Sequence, residues 1–300
     1  MSIDFISESS FWFPEKLISS AWVTHAPFAF WLTESIRPKM LVELGTHNGF
    51  SYFSFCQAVM GNKLDTSCFA VDTWKGDEHS YNYGEEIFAE LFKYNNERYS
   101  QFSRLIRSTF DDALKYFADA SIDLLHIDGF HTYEAVKHDF QSWLPKLSSR
   151  AVVLFHDTNV RERDFGVFKL WNELQDQYPS FEFLHGHGLG VLGIGKELPE
   201  KVIQLFAVKS NALKVSQIRG QYDRLGASMF ERLQICQLAI EIESLKVELE
   251  RYRAQIPNLE KDISNLENNI SNKDTQINRM QQTISWKITS PLRWLRAKIR

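Results

Sequence analysis

The sequence predicts an α/β protein: a mostly parallel sheet of five crossover strands, closed by an antiparallel hairpin and followed by a long α-helical coiled coil. Three observations carry that expectation. Between residues 40 and 200, short apolar runs that stop at a glycine or an acid alternate with longer amphipathic stretches. Two of these runs, "FEFLHG" at 181–186 and "LGVLGIG" at 189–195, stand so close that only a hairpin can join them. From Ile235 onward, apolar residues recur in alternating steps of three and four.

In chain order, residues 1–39 are read as a helical cap and 40–200 as the sheet domain. Its crossover strands are "MLVELG" (40–45), "CFAVD" (68–72), "RLIRS" (104–108), "IDLLHID" (122–128) and "AVVLFHD" (151–157). Residues 201–228 are read as a helical linker, since they look helical but lack a firm pattern, and 229–284 as the coiled coil. In the coil, one apolar series is nearly all isoleucine (Ile235, Ile242, Ile256, Ile263) and the other mostly leucine (Leu238, Leu245, Leu259, Leu266), with Lys273 breaking the second. Isoleucine at a with leucine at d favours a parallel two-stranded coil, so a homodimer is expected. Across it Glu241 faces Lys246 and Glu248 faces Arg253, whereas Asp262 and Glu267 repel. Pro257 removes a helical hydrogen bond at a cost of about 3 kcal/mol. The heptad phase survives across it, so a kink is expected rather than an end.

Composition narrows the function classes. With 300 residues, 44% of them hydrophobic and 14% aromatic, the chain can bury a sizeable core and is mainly folded. The net charge of −4 hides an uneven distribution, because residues 285–300 carry Lys287, Arg293, Arg296, Lys298 and Arg300 and no acid. An acidic body speaks against nucleic-acid binding. The tail interleaves its cations with Trp286 and Trp294, which suits a membrane surface with anionic lipid, a partner protein or the dimer itself. Cys56, Cys68 and Cys236 show no CxxC spacing, so neither a disulfide framework nor a thiolate zinc site is expected. The start of the chain lacks the features of a signal peptide and no run reaches about 18 apolar residues. The expected location is cytoplasmic, peripheral to a membrane through the tail.

Chemistry-bearing residues collect where the strands end. "ELGTHNGFS" after the first strand has glycines at the spacing of a nucleotide loop, but Thr46, His47 and Asn48 stand where a dinucleotide site needs its middle glycine. No diphosphate is expected. An acid, Glu43, suits instead a ligand with a cationic end, as S-adenosylmethionine (SAM) has; Glu43, Gly45, Thr46, Gly49 and Ser51 are the candidate contacts. Asp72, at the end of the second strand, can accept from ribose hydroxyls, and Trp74 is close enough to stack on an adenine. Ser108 and Asp111 follow the third strand, where an adenine amino group could be recognised or a helix capped. His126 interrupts the apolar fourth strand and is read as a packed core residue. His185 and His187 belong to the hairpin turn.

"ELGTHNGFS", "AVDTW", "HIDGFHTY" and "VVLFHDT", in this order, resemble the class I SAM-dependent O-methyltransferases, particularly the metal-dependent branch acting on catechol, caffeoyl-coenzyme A and macrolide sugars. From "HAPFAFWL" to "GLGVLGIG" the chain is similar to bacterial glycan-associated methyltransferases, often found beside or fused to glycosyltransferases, and its "SWKITSPLR" ending looks like those of glycan-assembly enzymes, which implies a glycosyltransferase as a partner for the tail. The resemblance implies a Rossmann-like class I sheet, SAM as methyl donor and a sugar or glycan acceptor. It also implies a divalent metal, magnesium, manganese or another, on Asp128, His156 and Asp157, with His131 as general base. His156 departs from those relatives, which have a carboxylate there, and imidazole suits zinc, iron or manganese better than magnesium.

The residue chemistry agrees with that implication. A sugar hydroxyl is a poor nucleophile at neutral pH, while the sulfonium already carries an activated methyl group. The site must therefore remove a proton and align two reactants. A base such as His131 contributes roughly 100- to 10,000-fold, and alignment about 7 to 11 kcal/mol. A cation on Asp128 and Asp157 would lower the hydroxyl pKa. Two other classes fit less of the sequence: a nicotinamide-dependent oxidoreductase, disfavoured by the missing glycine and the hairpin, and an inactive methyltransferase-like scaffold acting through its coil.

Overall fold

Valine, leucine and isoleucine alternate between two buried faces in the central strands of the computed structural model, which describes residues 5–76, 85–162 and 164–298. The strands are β1 (Met40–Leu44), β2 (Ser67–Asp72), β3 (Ser103–Arg107), β4 (Ile122–Ile127), β5 (Leu147–His156), β6 (Ser180–Phe183) and β7 (Leu189–Gly193). Leu41, Leu124, Val152 and Leu154 enter one apolar cluster, and Val42, Leu125, Val153 and Phe155 enter the other. A sheet buried on both faces needs near-continuous apolar strands, which is why the runs were legible without a polar alternation. β5 begins four residues earlier than its apolar run, through Ser148, Ser149 and Arg150, and its pairing with β4 shifts register there.

The strand order is β3-β2-β1-β4-β5-β7-β6. The pairs β1–β2, β2–β3, β1–β4 and β4–β5 are parallel, while β7 runs antiparallel between β5 and β6. Successive connections lead outward from β1 to β3, and β4 then returns to the other side of β1. The carboxyl ends of β1 and β4 therefore flank the point where the order reverses, and loops diverge there to leave a crevice.

Helices α1 (Ala26–Ile36), α2 (Phe50–Gly61), α3 (Glu85–Arg98), α4 (Phe110–Ala113), α5 (Tyr133–Trp143), α6 (Val167–Leu174) and α7 (Glu200–Ala207) accompany the sheet. α5 starts from a Thr132 cap whose hydroxyl accepts from the Ala135 amide, so the segment carrying His131 ends in a fixed turn. After α7 the long helix α8 (Ala212–Gln282) begins. Residues 201–228, expected as a linker, do not merely connect: Val202, Leu205, Phe206, Ile218 and Tyr222 belong to the core that α1 and α2 also fill. Their burial at helical spacing, continued by Met229 and Leu233, is the pattern that their composition obscured.

The chain divides into two compact units, Met1–Ile235 and Cys236–Arg300. The second unit comprises the rest of α8 together with α9 (Ile284–Ile288) and α10 (Ser290–Lys298). α8 runs through Pro257 without ending there. No helix among the described residues is long and apolar enough to cross a membrane. Of the tail residues expected at a surface, Arg300 lies outside the described residues, as do residues 77–84.

Candidate active site

Two polar residues break the apolar strands, and they break them side by side. Glu43 on β1 and His126 on β4 are register partners, both fully buried. His126 Nδ1 lies 2.8 Å from Glu43 Oε2, and Trp22 Nε1 donates to His126 Nε2 at 3.1 Å. The indole can only donate, so His126 Nε2 accepts and its proton sits on Nδ1, pointing at the carboxylate. Burial raises the Glu43 pKa, with His126 opposing. This chain ties the segment around Trp22 to the sheet, and Ser19, Ser20 and Ala21 of that segment wall the crevice. Glu43, expected at the cofactor, is thus a strut beneath the pocket wall and does not line the pocket.

The crevice is a cavity of about 530 Å3 at the carboxyl edge, of the size that takes a small ligand. Gly45, Thr46, Ser51 and Asp72 of the expected cofactor set line it, joined by Thr73, Thr109 and Phe110. Gly45 has φ +85°, and a Cβ there would stand 2.0 Å from the Asp128 carbonyl oxygen. Only glycine allows the β1 loop to touch the β4 loop so closely. Asp72 organises the same loop: Oδ2 accepts from the Thr46 and His47 amides at 2.8 and 2.9 Å, and Oδ1 from the Trp74 amide at 2.7 Å. A carboxylate offers about four acceptor positions, so three bonds leave room for about one ribose hydroxyl where two were expected.

Four further residues of the expected cofactor set have other work. Trp74 is buried, donates from Nε1 to the His47 carbonyl at 3.1 Å and packs on Phe88, so it cannot present a face to an adenine. Gly49, at φ +81°, opens α2, where a Cβ would strike Phe53 and Leu91. Ser108 gives its amide to the Asp72 carbonyl, and Asp111 pairs with His138 Nε2 at 2.8 Å on an exposed surface. Phe110, which was missed, takes the aromatic place in the pocket; its ring lies against Gly129, where a Cβ would meet it at 2.4 Å. Nothing local in the sequence marks Phe110, because its placement depends on the β4 loop.

Asp128 and Asp157 do converge at the far side of the cavity. Asp157, in the left-handed region at φ +61°, turns back off β5. His131 Nδ1 approaches Asp157 Oδ2 at 3.3 Å, and His187 Nδ1 approaches its Oδ1 at 3.2 Å. His156 Nδ1 lies 3.2 Å from Asp128 Oδ1 and 3.5 Å from Asp157 Oδ2. His131 stacks on Phe165 with ring centroids 4.7 Å apart, and both line the cavity. His185 stays outside it, packed against His25.

His156 differs from the ligand role expected of it. Its Nε2 and that of His25 both donate to the Gly186 carbonyl, at 3.1 and 2.9 Å, so its Nε2 already holds a proton. Burial alone would lower the His156 pKa, but the two aspartates outweigh it and raise it well above the ordinary imidazole value. Burial alone would likewise raise Asp128 and Asp157, and the His156 charge instead holds both below the usual carboxylate range. Among the described residues, the atoms able to hold a cation together are those of Asp128, His131 and Asp157, all within 4.8 Å of one another. Two carboxylates and one imidazole at a cavity wall fit a divalent ion by donor type, with His131 in the place expected for His156.

These charges give stability a pH dependence. A raised His156 contributes stability that is complete below the unfolded imidazole pKa of about 6.5 and is lost as pH rises through its higher folded value. The depressed aspartates contribute above about pH 4 and lose that contribution as pH falls. Urea unfolding followed across neutral to alkaline pH is expected to show declining stability, and His156→Gln should flatten that limb. An unchanged slope in the variant would remove His156 as its source.

Comparison with known proteins places this geometry. Residues 42–158, which run from within β1 past the end of β5 and include both aspartates, match a family model described as a methyltransferase domain. An uncharacterized protein of Sinorhizobium fredii is 56% identical over 186 residues, 62% of this chain and 20% of its own length. The chain thus spans about one fifth of the curated relative it matches. Among solved structures, the chain is similar to the SAH-bound methyltransferase PaMTH1 of Podospora anserina, at 12% identity and a TM-score of 0.45 over 59% of this chain and 80% of that one. It is also similar to the SAM-bound O-methyltransferase TomG of Streptomyces achromogenes, involved in tomaymycin synthesis, at 14% identity and a TM-score of 0.43 over 59% and 81%.

Proposed function

We propose that the protein transfers the methyl group of SAM to a hydroxyl of a sugar, in a surface glycan or its precursor, with His131 taking the hydroxyl proton. The observation that carries this reading is that Asp157 and His131 meet at one wall of the cavity whose other wall is the Gly45 loop. An imidazole that gives its Nδ1 proton to a carboxylate presents Nε2 as the basic atom, with its orientation fixed. Asp157 is the orienting group, and the positive His156 keeps it ionised.

SAM suits the opposite wall. Thr46 Oγ1 is buried without a hydrogen-bond partner in a residue that lines the cavity, an orphan that a bound ligand would satisfy. Phe110 offers an aromatic face for adenine, and Asp72 has its remaining acceptor position for a ribose hydroxyl. The sugar reading draws on a cavity lined both by the Phe165 ring, a flat apolar surface, and by the hydroxyl-bearing Ser19 and Ser20.

A divalent ion is a second reading, favoured by the Asp128, His131 and Asp157 cluster. When bound, it would lower the pKa of a coordinated hydroxyl. An imidazole that holds an ion through Nδ1 carries its proton on Nε2, so His131 cannot be ligand and base at once. His156 already sets a positive charge between the aspartates, and turnover is therefore expected to survive chelation. Transfer of labelled methyl from SAM to glycan precursors, with and without EDTA, tests both readings. Loss restored by Mn2+ or Mg2+ would move His131 to the ligand role, and no transfer to any sugar acceptor would overturn the substrate class. Titration with SAM and with NAD distinguishes this class from an oxidoreductase.

A further inference from the structure

The second unit presents an apolar stripe that nothing in it covers. Every apolar member of the a and d series from Ile235 to Ile284 is exposed, Ile242 at 53%, Leu245 at 55% and Ile263 at 57% among them. Most residues between them are charged or polar, with Ile240 and Val247 the large apolar exceptions, so the stripe is one dominant seam along α8 rather than a helix that is apolar all round. Burying a large apolar side chain is worth about 1.5 to 3 kcal/mol, and a helix that leaves a seam of this length in water has a strong drive to pair. At 1.5 Å per residue the seam is about 75 Å long.

We propose that the seam is an interface with a second copy of this chain, lying parallel and in register. Three features select that occupant. Isoleucine at a and leucine at d pack two parallel strands, since each side chain then meets its own counterpart across the axis. The charges beside the seam complement the chain itself: Glu241 faces Lys246 and Glu248 faces Arg253, each pair occurring twice by symmetry. Pro257 follows an a position and falls on the outer side, where it does not enter the seam.

The two halves of the seam differ in strength. Residues 235–256 carry the favourable charge pairs and an unbroken apolar core. Beyond Pro257, Asp262 opposes Glu267, and Lys273 at a d position would meet its own copy. A charged residue inside the seam fixes register at a cost in stability. Pairing is therefore anchored in 235–256, and the later heptads follow it.

The test uses the full chain. Sedimentation equilibrium at micromolar concentration should give about twice the 35.0 kDa chain mass. The double variant Ile242→Asp, Leu245→Asp should sediment as a monomer with unchanged helix content and unchanged SAM affinity. Register is read separately: in a Cys236→Ser background, Leu245→Cys chains should cross-link to one another under mild oxidation, because like positions meet only in a parallel, in-register pair. A monomeric wild type, a trimer or tetramer, a double variant that remains dimeric, or a dimer that fails to cross-link at position 245 would each overturn the proposal. A loss of methyl transfer with the dimer intact would bear on the catalytic reading alone.

Discussion

Replacing His131 with alanine is expected to lower kcat by about 100- to 10,000-fold, the range that a positioned base contributes, while SAM affinity stays within about twofold. The separation follows from where the residue stands. His131 faces Asp157 and Phe165, on the proposed acceptor side, whereas the proposed cofactor side is built from the Gly45 loop, Asp72 and Phe110. A base made only in the transition state affects kcat and kcat/KM together, so KM should change little. Single-turnover methyl transfer and calorimetric SAM binding measured on the same preparation decide it. Near-wild-type turnover would reject His131 as the proton acceptor. Equal loss of SAM binding would show that the substitution had disturbed the whole cavity.

Gly45→Ala is expected to be the most damaging small substitution in the sheet domain. The new methyl would stand 2.0 Å from the Asp128 carbonyl oxygen and 2.5 Å from its carbon, both backbone atoms that cannot swing aside. The residue would also have to hold φ +85°, a left-handed conformation costing an L-residue about 1 to 2 kcal/mol. With overpacking of about 1 to 3 kcal/mol more, the loss approaches 2 to 5 kcal/mol. Urea unfolding reads it, and SAM binding should fall with it because the loop shifts away from Asp128. Gly220→Ala is the matched control. Nothing lies within 4 Å of a Cβ at Gly220, inside α8, and alanine there should stabilise by about 0.5 to 1 kcal/mol.

The parts of the site that the sequence revealed share a cause. Asp128 and Asp157 follow β4 and β5 directly, with His131 in the short loop after Asp128, and a parallel sheet delivers the residue after each strand to one edge whatever the loops do. The misread residues depend on side-chain direction. Glu43 sits one place before the end of β1 and points into the sheet, where His126 and Trp22 meet it. Trp74 turns inward because its amide is held by Asp72 and its indole by the His47 carbonyl of the loop after β1. His156 was legible as a strand-end residue, but not as one whose ring is held by Gly186 from a hairpin thirty residues away.

Periodicity and strand-end chemistry were thus enough to determine the sheet, its terminal hairpin, the long heptad helix and the edge on which the chemistry gathers, since these follow from local pattern and from the handedness of crossovers. Tertiary structure alone decided which polar groups face the cavity and which brace it, and that Ile218, Tyr222 and Leu233 complete the core of the first unit. The reason is that one carboxylate or imidazole looks the same in a sequence whether it meets solvent, ligand or a buried partner. Its surroundings come from segments far away along the chain.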